Sequence, residues 1–173
     1  MTTFKNDAII NAIYDGIKRG IEVTLKNHCY GSAVKLIFSG IDTMAYLNMP
    51  VSQQDVERKD FISWVEQYIR FPCKEQLTGL DWYGARWAML HTYTARSNLS
   101  RKGKCRMVCY MDKGIPEIRS KPGIDDIVIV SVFALVEAFF TGIDEFLVAL
   151  FSNKEKATVA EERLKELMQE YPW

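Results

Sequence analysis

The sequence contains only two histidines, four scattered cysteines and none of the common cofactor or nucleotide motifs, and each scarcity removes a class of protein. Without a CxxC pair, a zinc ribbon or a thioredoxin-like redox site is not expected. Without a GxGxxG, Walker or HExxH motif, the chemistry of dinucleotides, nucleoside triphosphates and zinc proteases is not expected either. The chain also shows no charged and then apolar leader, so we expect a reduced, cytoplasmic protein.

No long apolar run is free of charge, which argues against a membrane protein. The longest apolar segment, residues 127–151, is interrupted by Glu137, Asp144 and Glu145, which would be costly at the depth of a bilayer. We therefore expect a buried helix here and no membrane partner. With 173 residues, of which 48% are hydrophobic, the chain can bury a core without disulfides or bound metal. We expect one domain spanning residues 1–173, and no cofactor.

Apolar residues recur at steps of three and four along most of the chain, which is the period of an amphipathic helix. Residues 127–132 are rich in β-branched side chains, as a strand would be, but the helical period continues for more than twenty residues, so a helix is preferred. The expected helices are 7–27, 32–47, one from a cap at Ser52 or Asp55 to Pro72, 80–99, one from a cap at Asp125 or Asp126 to 151, and 154–170.

One segment has the period of a β-strand instead. Apolar and other side chains alternate from Cys105 to Tyr110, and turn-forming residues follow at 112–114. This pattern predicts one short β-hairpin near residues 105–118. The predicted fold class is therefore mainly α, a bundle of five or six helices with the hairpin as an insertion.

The net charge of zero hides a polarised chain. Residues 82–121 carry nine Lys and Arg against two acidic residues, whereas 1–81 carry nine against ten and 122–173 carry four against ten. Hydroxyl, amide and cationic side chains are dense in the basic part, and phosphate is a natural partner for such a surface. The predicted RNA-binding residues are Arg96, Arg101, Lys102, Lys104 and Arg106.

Arg86 and His91 form the pattern R-x4-H at the start of this basic part. Residues five apart lie roughly 140° apart on an α-helix, so the two reach one cleft only near a helix end or through long side chains. Metal-free cleavage of RNA needs a histidine to move protons and an arginine to stabilise charge on the phosphorane. Asp42 is a candidate to orient either residue, or to form an ion pair between helices, and Thr92 and Tyr93 are candidate supporting residues.

The helical outline with R-x4-H resembles HEPN domains, many of which are metal-independent RNases of toxin–antitoxin, abortive-infection and CRISPR-associated systems. The resemblance implies that Arg86 and His91 are catalytic, in a site completed across a homodimer, and that RNA and an antitoxin or other protein are candidate partners. Segments 38–42, 58–64 and 83–94 also look like a set of bacterial proteins of unknown function.

The residue after the arginine departs from the HEPN pattern. HEPN nucleases commonly have Asn, Asp or His there, whereas this chain has Trp87. Trp87 favours an alternative function, a non-catalytic helical interaction or regulatory module in which Arg86 and His91 make structural hydrogen bonds with Asp42. The charge asymmetry favours the nuclease.

Overall fold

Seven helices and a three-stranded sheet make up the described part of the chain, so the mainly α fold class is confirmed. The structure is a computed structural model that describes residues 8–112, 118–121 and 123–167. Helix α1 is continuous and consists of Ala8–Asn11, the π-helical Ala12–Lys18 and Arg19–Lys26. The other elements are α2 Tyr30–Asn48, α3 Arg58–Tyr68, α4 Gly79–Trp87 with a π-helical turn Ala88–Thr92, α5 Asn98–Arg101, β1 Met107–Met111, β2 Ile118–Lys121, β3 Ile124–Ser131, α6 Val132–Phe151 and α7 Lys154–Leu167.

The sheet lies where the sequence predicts a β insertion, but its pairing differs from the predicted hairpin. The strand order is β1-β3-β2, with β3 parallel to β1 and antiparallel to β2. Strands β1 and β2 are therefore not neighbours, and the predicted turn at 112–114 falls largely outside the described residues. The reason is that β3 lies between the other two strands and pairs with both of them. The sequence had predicted a helix for most of β3.

Residues 127–131 form part of β3, so the helix predicted there is wrong. Val128 and Val130 are fully buried, and β3 has a hydrogen-bonded neighbour on each side. A run of β-branched residues suits such a central strand better than a helix. Helix α6 begins only at Val132, because the Ser131 hydroxyl accepts hydrogen bonds from the backbone N–H groups of Phe133 and Ala134. Ser131 therefore replaces Asp125 or Asp126 as the cap.

Two other predicted boundaries are wrong, one at the start of a helix and one at the end of a helix. Helix α3 begins after Glu57, which forms a reciprocal capping box with Asp60, and not at Ser52 or Asp55. The fourth helix does not continue to residue 99, because Tyr93 adopts a left-handed conformation and ends it. The first, second and last helices are confirmed over the described residues; residue 7 and residues 168–170 lie outside them.

Helix α2 lies in the middle of the bundle and contacts α1, α3, α6 and α7. Its buried face joins one continuous apolar cluster that includes both the helices and the sheet. Aromatic rings fill much of the space between α3 and α6. There the ring centroid of Trp64 lies within 6.1 Å of the ring centroids of Phe139 and Phe146. Within the described ranges, the structure has no helix long and apolar enough to cross a membrane.

Helix α7 is held against the end of α2 by the buried guanidinium of Arg163. Its Nη1 donates to the carbonyl oxygens of Tyr46 and Met49, and its Nη2 donates to those of Pro50 and Gln53. The last carbonyls of a helix have no partner within the helix, so these hydrogen bonds satisfy groups that would otherwise depend on water. Arg163 thereby fixes α7, the end of α2 and the loop after it in one arrangement.

We expect Arg163→Leu to lower the free energy of unfolding by about 2–4 kcal/mol, because the change removes a buried donor that is shared by four carbonyl groups. Urea titration measures this loss, and an unchanged m-value would show that the folded state is retained. Lys165→Leu is the matched control, since Lys165 is exposed and its ion pair among the described residues is with Glu162 on its own helix. Equal losses for the two variants would contradict the structural role of Arg163.

Candidate functional site

An ion pair between Arg86 and Asp42 joins α4 to α2 at the predicted site. The Nε atom of Arg86 donates to both Oδ1 and Oδ2 of Asp42 at 2.8 Å. About a quarter of each side chain is exposed. Among the described residues, nothing accepts a hydrogen bond from Nη1 or Nη2 of Arg86. One edge of the guanidinium is therefore fixed, and its outer donors remain available to a ligand.

His91 lies in the π-helical turn that continues α4. A π-helical turn pairs each N–H with the carbonyl five residues earlier, so positions five apart come nearer to one face than they do in an α-helix. Burial raises the pKa of Asp42 above its usual value, and the hydrogen bond and charge of Arg86, with a smaller effect of the charge of His91, oppose that shift. Arg86 is the residue that contacts this carboxylate, and His91 follows it in the π-helical turn of the same helix. We call Asp42, Arg86 and His91 the Asp42 cluster.

The imidazole of His91 is accessible from solvent. The residue is exposed, and its ring packs on the partly exposed ring of Trp87 with 5.5 Å between centroids. Neither ring nitrogen forms a hydrogen bond with another residue in the part of the chain that the structure describes. This arrangement leaves both nitrogens free to exchange protons with a bound molecule.

Thr92 and Tyr93 shape the end of this helix and do not touch the Asp42 carboxylate. The hydroxyl of Thr92 donates to the carbonyl of Ala88 at 2.9 Å. The ring of Tyr93 is 60% exposed, and the Nζ of Lys35 lies 4.2 Å from its centroid. Its hydroxyl rests against Gly31, where a Cβ atom would lie only 1.9 Å away. Tyr93 thus contacts the first turn of α2 through Gly31, and it also contacts a further cation of that helix, Lys35.

Four of the five predicted RNA-binding residues lie on the exposed segment around α5. None of them forms an ion pair with a carboxylate of residues 8–112, 118–121 or 123–167. The turn that follows α5 depends on Gly103, whose φ is 64°. We call this segment the basic turn, defined by Arg96, Arg101, Lys102 and Lys104.

Arg106, the fifth of these residues, is engaged inside the protein. Its guanidinium donates to the carboxylates of Asp81 and Glu75 and to the carbonyl of Gln76. Its backbone N–H also donates to Oδ1 of Asp81 at 2.7 Å. These contacts hold the start of β1 against the start of α4, so we leave Arg106 out of the RNA-binding surface.

Asp81 is the centre of that arrangement and is only 1% exposed. It forms a reciprocal capping box with Thr78 at the first turn of α4, in addition to its bonds with Arg106. Burial would raise the pKa of Asp81, but the hydrogen bonds from Arg106 and Thr78 together lower it below its usual value. The ionised carboxylate therefore positions the helix that carries Arg86 and His91.

Sequence reasoning missed Arg58, which begins α3. Its Cζ lies 4.9 Å from the centroid of the Tyr83 ring, and the Cζ of Arg86 lies 5.7 Å from the same centroid. Arg58 lies 28 residues before Arg86, so no local spacing linked the two. The capping box of Glu57 and Asp60 would have indicated that Arg58 is the first residue of α3, and the sequence offered no other signal for it.

Comparisons with other proteins leave the HEPN resemblance a prediction. No protein-family model, curated protein or solved structure matches this chain. Among the described residues, no three His, Cys, Asp or Glu side chains lie close enough together to hold a metal ion. The residues of the Asp42 cluster must therefore be interpreted from their own geometry and chemistry.

We expect Asp81→Asn to lower the free energy of unfolding by about 3 kcal/mol at pH 7, because the change leaves Arg106 without its main counter-charge. A carboxylate with a lowered pKa contributes stability above its unfolded pKa of about 3.9, and this contribution is lost as the pH falls through the folded pKa. The difference between wild type and Asp81→Asn should therefore shrink as urea titrations move from pH 7 to pH 3. A difference that stays constant over this range would contradict the role given to the ionised form.

Proposed function

We propose that the chain is a metal-independent endoribonuclease of the HEPN type, in which Arg86 and His91 are the catalytic residues. The observation that supports it best is the Asp42 cluster. One edge of the Arg86 guanidinium is bound to Asp42 while its outer donors remain available, and the accessible His91 follows in the π-helical turn that continues the same helix. Asp42 then serves as the residue that orients Arg86, which is one of the two roles expected from the sequence.

The reaction is a transesterification, in which phosphorus exchanges its bond to the 5′-oxygen for a bond to the 2′-oxygen of the same strand. The 2′-hydroxyl attacks phosphorus, the bond to the 5′-oxygen breaks, and the products are a 2′,3′-cyclic phosphate and a free 5′-hydroxyl. His91 either accepts the proton from the 2′-hydroxyl or donates one to the 5′-oxygen. Arg86 stabilises charge on the non-bridging oxygens through its Nη donors. A second copy of the chain would supply the second proton-transfer group.

The basic turn extends this site toward the RNA strand. Its four cations have no carboxylate partner among the described residues, which suits contact with phosphate groups. Along the chain, Trp87 lies between Arg86 and His91, and Tyr93 lies between His91 and the basic turn; the exposed rings of both offer stacking surfaces. The proposal includes a homodimer, RNA and an antitoxin or other protein as partners, and a cytoplasmic location.

The alternative is a non-catalytic interaction or regulatory module. The ion pair between Arg86 and Asp42 favours it, because such a pair also serves to fix α2 against α4. Trp87 favours it as well, since an exposed indole on this surface is suited to a protein partner. In the nuclease the cluster also cleaves RNA, whereas in the module it only holds the helices together.

His91→Ala should abolish cleavage of RNA in the presence of EDTA without changing the melting temperature. The reason is that the exposed imidazole contributes little packing, while proton transfer by a side chain contributes roughly 10²–10⁴-fold to a rate. The measurement is incubation of wild type and variant with mixed cellular RNA, followed by analysis of the fragment ends for 2′,3′-cyclic phosphate. His28→Ala is the matched control, because His28 is the other of the two histidines and is also exposed.

Cleavage by wild type and His28→Ala alone, with cyclic phosphate ends, is the result expected of the nuclease. If the three folded proteins leave RNA equally intact, the nuclease proposal fails and the interaction module takes its place. Equal cleavage by all three would point to a contaminating nuclease and would also count against the proposal.

A double-mutant cycle on Arg86 and Asp42 separates orientation from structural support. We expect Arg86→Ala and Asp42→Asn to be coupled by about 1 kcal/mol in the free energy of unfolding, because both side chains are partly exposed and screened by water. In the nuclease, Arg86→Ala should reduce cleavage far more than Asp42→Asn, which keeps the guanidinium. Coupled stability losses with no RNA cleavage by any of the four proteins would support the module.

A further inference from the structure

Two arginines share one aromatic ring beside the Asp42 cluster. The Cζ atoms of Arg58 and Arg86 both lie within 6 Å of the centroid of Tyr83. Tyr83 is itself fixed, because its ring packs edge-on against the fully buried Phe61 with 5.8 Å between centroids. A guanidinium on an aromatic face is held in a defined place while its N–H donors remain at the edge of the plane. The ring therefore sets the separation between two groups that bind oxyanions.

Arg58 has no internal counter-charge among the described residues, although acidic side chains stand on both sides of it in the sequence. Glu57 pairs with Lys59 at 3.0 Å. Asp60 accepts from the backbone N–H of Glu57 at 2.7 Å and from the side chain of Gln53. Both neighbouring carboxylates are thus occupied. The guanidinium of Arg58 is exposed, held by the ring and free to bind an anion from solution.

Arg58 also lies beside α4, because its Cζ is 4.9 Å from the centroid of the Tyr83 ring on that helix. Burial is the main cause that raises the pKa of the Cys105 thiol, and the charge of Arg58 acts on that thiol in the opposite direction. The Cys105 sulfur lies against Gly84 in the middle of α4, where a Cβ atom would be 2.6 Å from it. Arg58 and Cys105 therefore both lie beside residues 83–86 of α4.

We propose that Arg58, held on Tyr83, is a second phosphate-binding residue that contacts the RNA strand beside the phosphate at Arg86. This inference rests on the proposed function for the identity of the ligand. It makes α3 part of the binding surface, and it places the strand across the Tyr83 ring, which precedes Arg86 on α4 whereas His91 follows it. Arg58 is a binding residue that contacts substrate away from the reacting atoms.

The test is binding of an end-labelled, single-stranded RNA to protein carrying His91→Ala, so that the strand stays intact. Adding Arg58→Ala should weaken binding about tenfold and lower the slope of log K against log salt concentration by roughly 0.7, the value for one phosphate contact on a single strand. Arg70→Ala is the matched control. Arg70 is exposed and follows the other end of α3, which begins at Arg58 and ends at Tyr68, and its replacement removes the same charge.

Equal weakening by Arg58→Ala and Arg70→Ala would overturn the inference, because it would mean that only total charge matters. An absence of RNA binding by the parent protein would overturn it as well. Arg58→Lys adds a further check, since it keeps the charge and should keep most of the salt slope while losing the planar contact with Tyr83. Tyr83→Phe should bind like the parent, because the ring face is preserved.

The inference and the proposed function can fail separately. If wild type binds RNA through Arg58 but does not cleave it, the nuclease proposal fails and the second phosphate site stands. If wild type cleaves RNA and Arg58→Ala leaves KM unchanged, the nuclease stands and the second site fails. The result expected of both is cleavage by wild type, with a rise in KM for Arg58→Ala that is larger than the fall in kcat.

Discussion

The buried carboxylate of Asp81 is the constraint on which the rest of the site depends. It closes the first turn of α4 through Thr78 and fixes the start of β1 through the backbone and side chain of Arg106. Burying a charge is costly unless it is paired and hydrogen-bonded, and here the donors are the backbone of Thr78 and the backbone and side chain of Arg106. Because this join lies at the start of α4, the segment that leaves the other end of the helix and carries the basic turn must run back along α4 to reach β1.

The candidate site is built from helix ends, where backbone groups and charged side chains are least constrained by the bundle. Arg86 and His91 lie where α4 changes into a π-helical turn, Tyr93 ends that turn, and Arg58 begins α3. Such places allow residues from different helices to approach one another without disturbing the apolar cluster.

The apolar period of the sequence was sufficient to predict the mainly α class and most of the helices, because that period depends on local spacing alone. It failed for residues 127–131, where β-branched side chains and a partner strand on each side outweigh the helical pattern that resumes at Val132. For the site, the sequence suggested that Asp42 acts on Arg86. It could not predict the π-helical turn or the loss of Arg106 to Asp81, because both depend on contacts between elements.

Arg163 follows the carbonyl groups that it binds by 110 to 117 residues. A ribosome delivers the chain from its N-terminus, so the end of α2 and the loop after it leave the exit tunnel long before the guanidinium that satisfies them. Until then these oxygens lack the guanidinium donor and depend on water and on local backbone hydrogen bonds such as those from Met49 and Gln53, and the last turn of α2 is open to fraying. The nascent chain should therefore hold a partly closed bundle, and its final closure should wait for the arrival of α7.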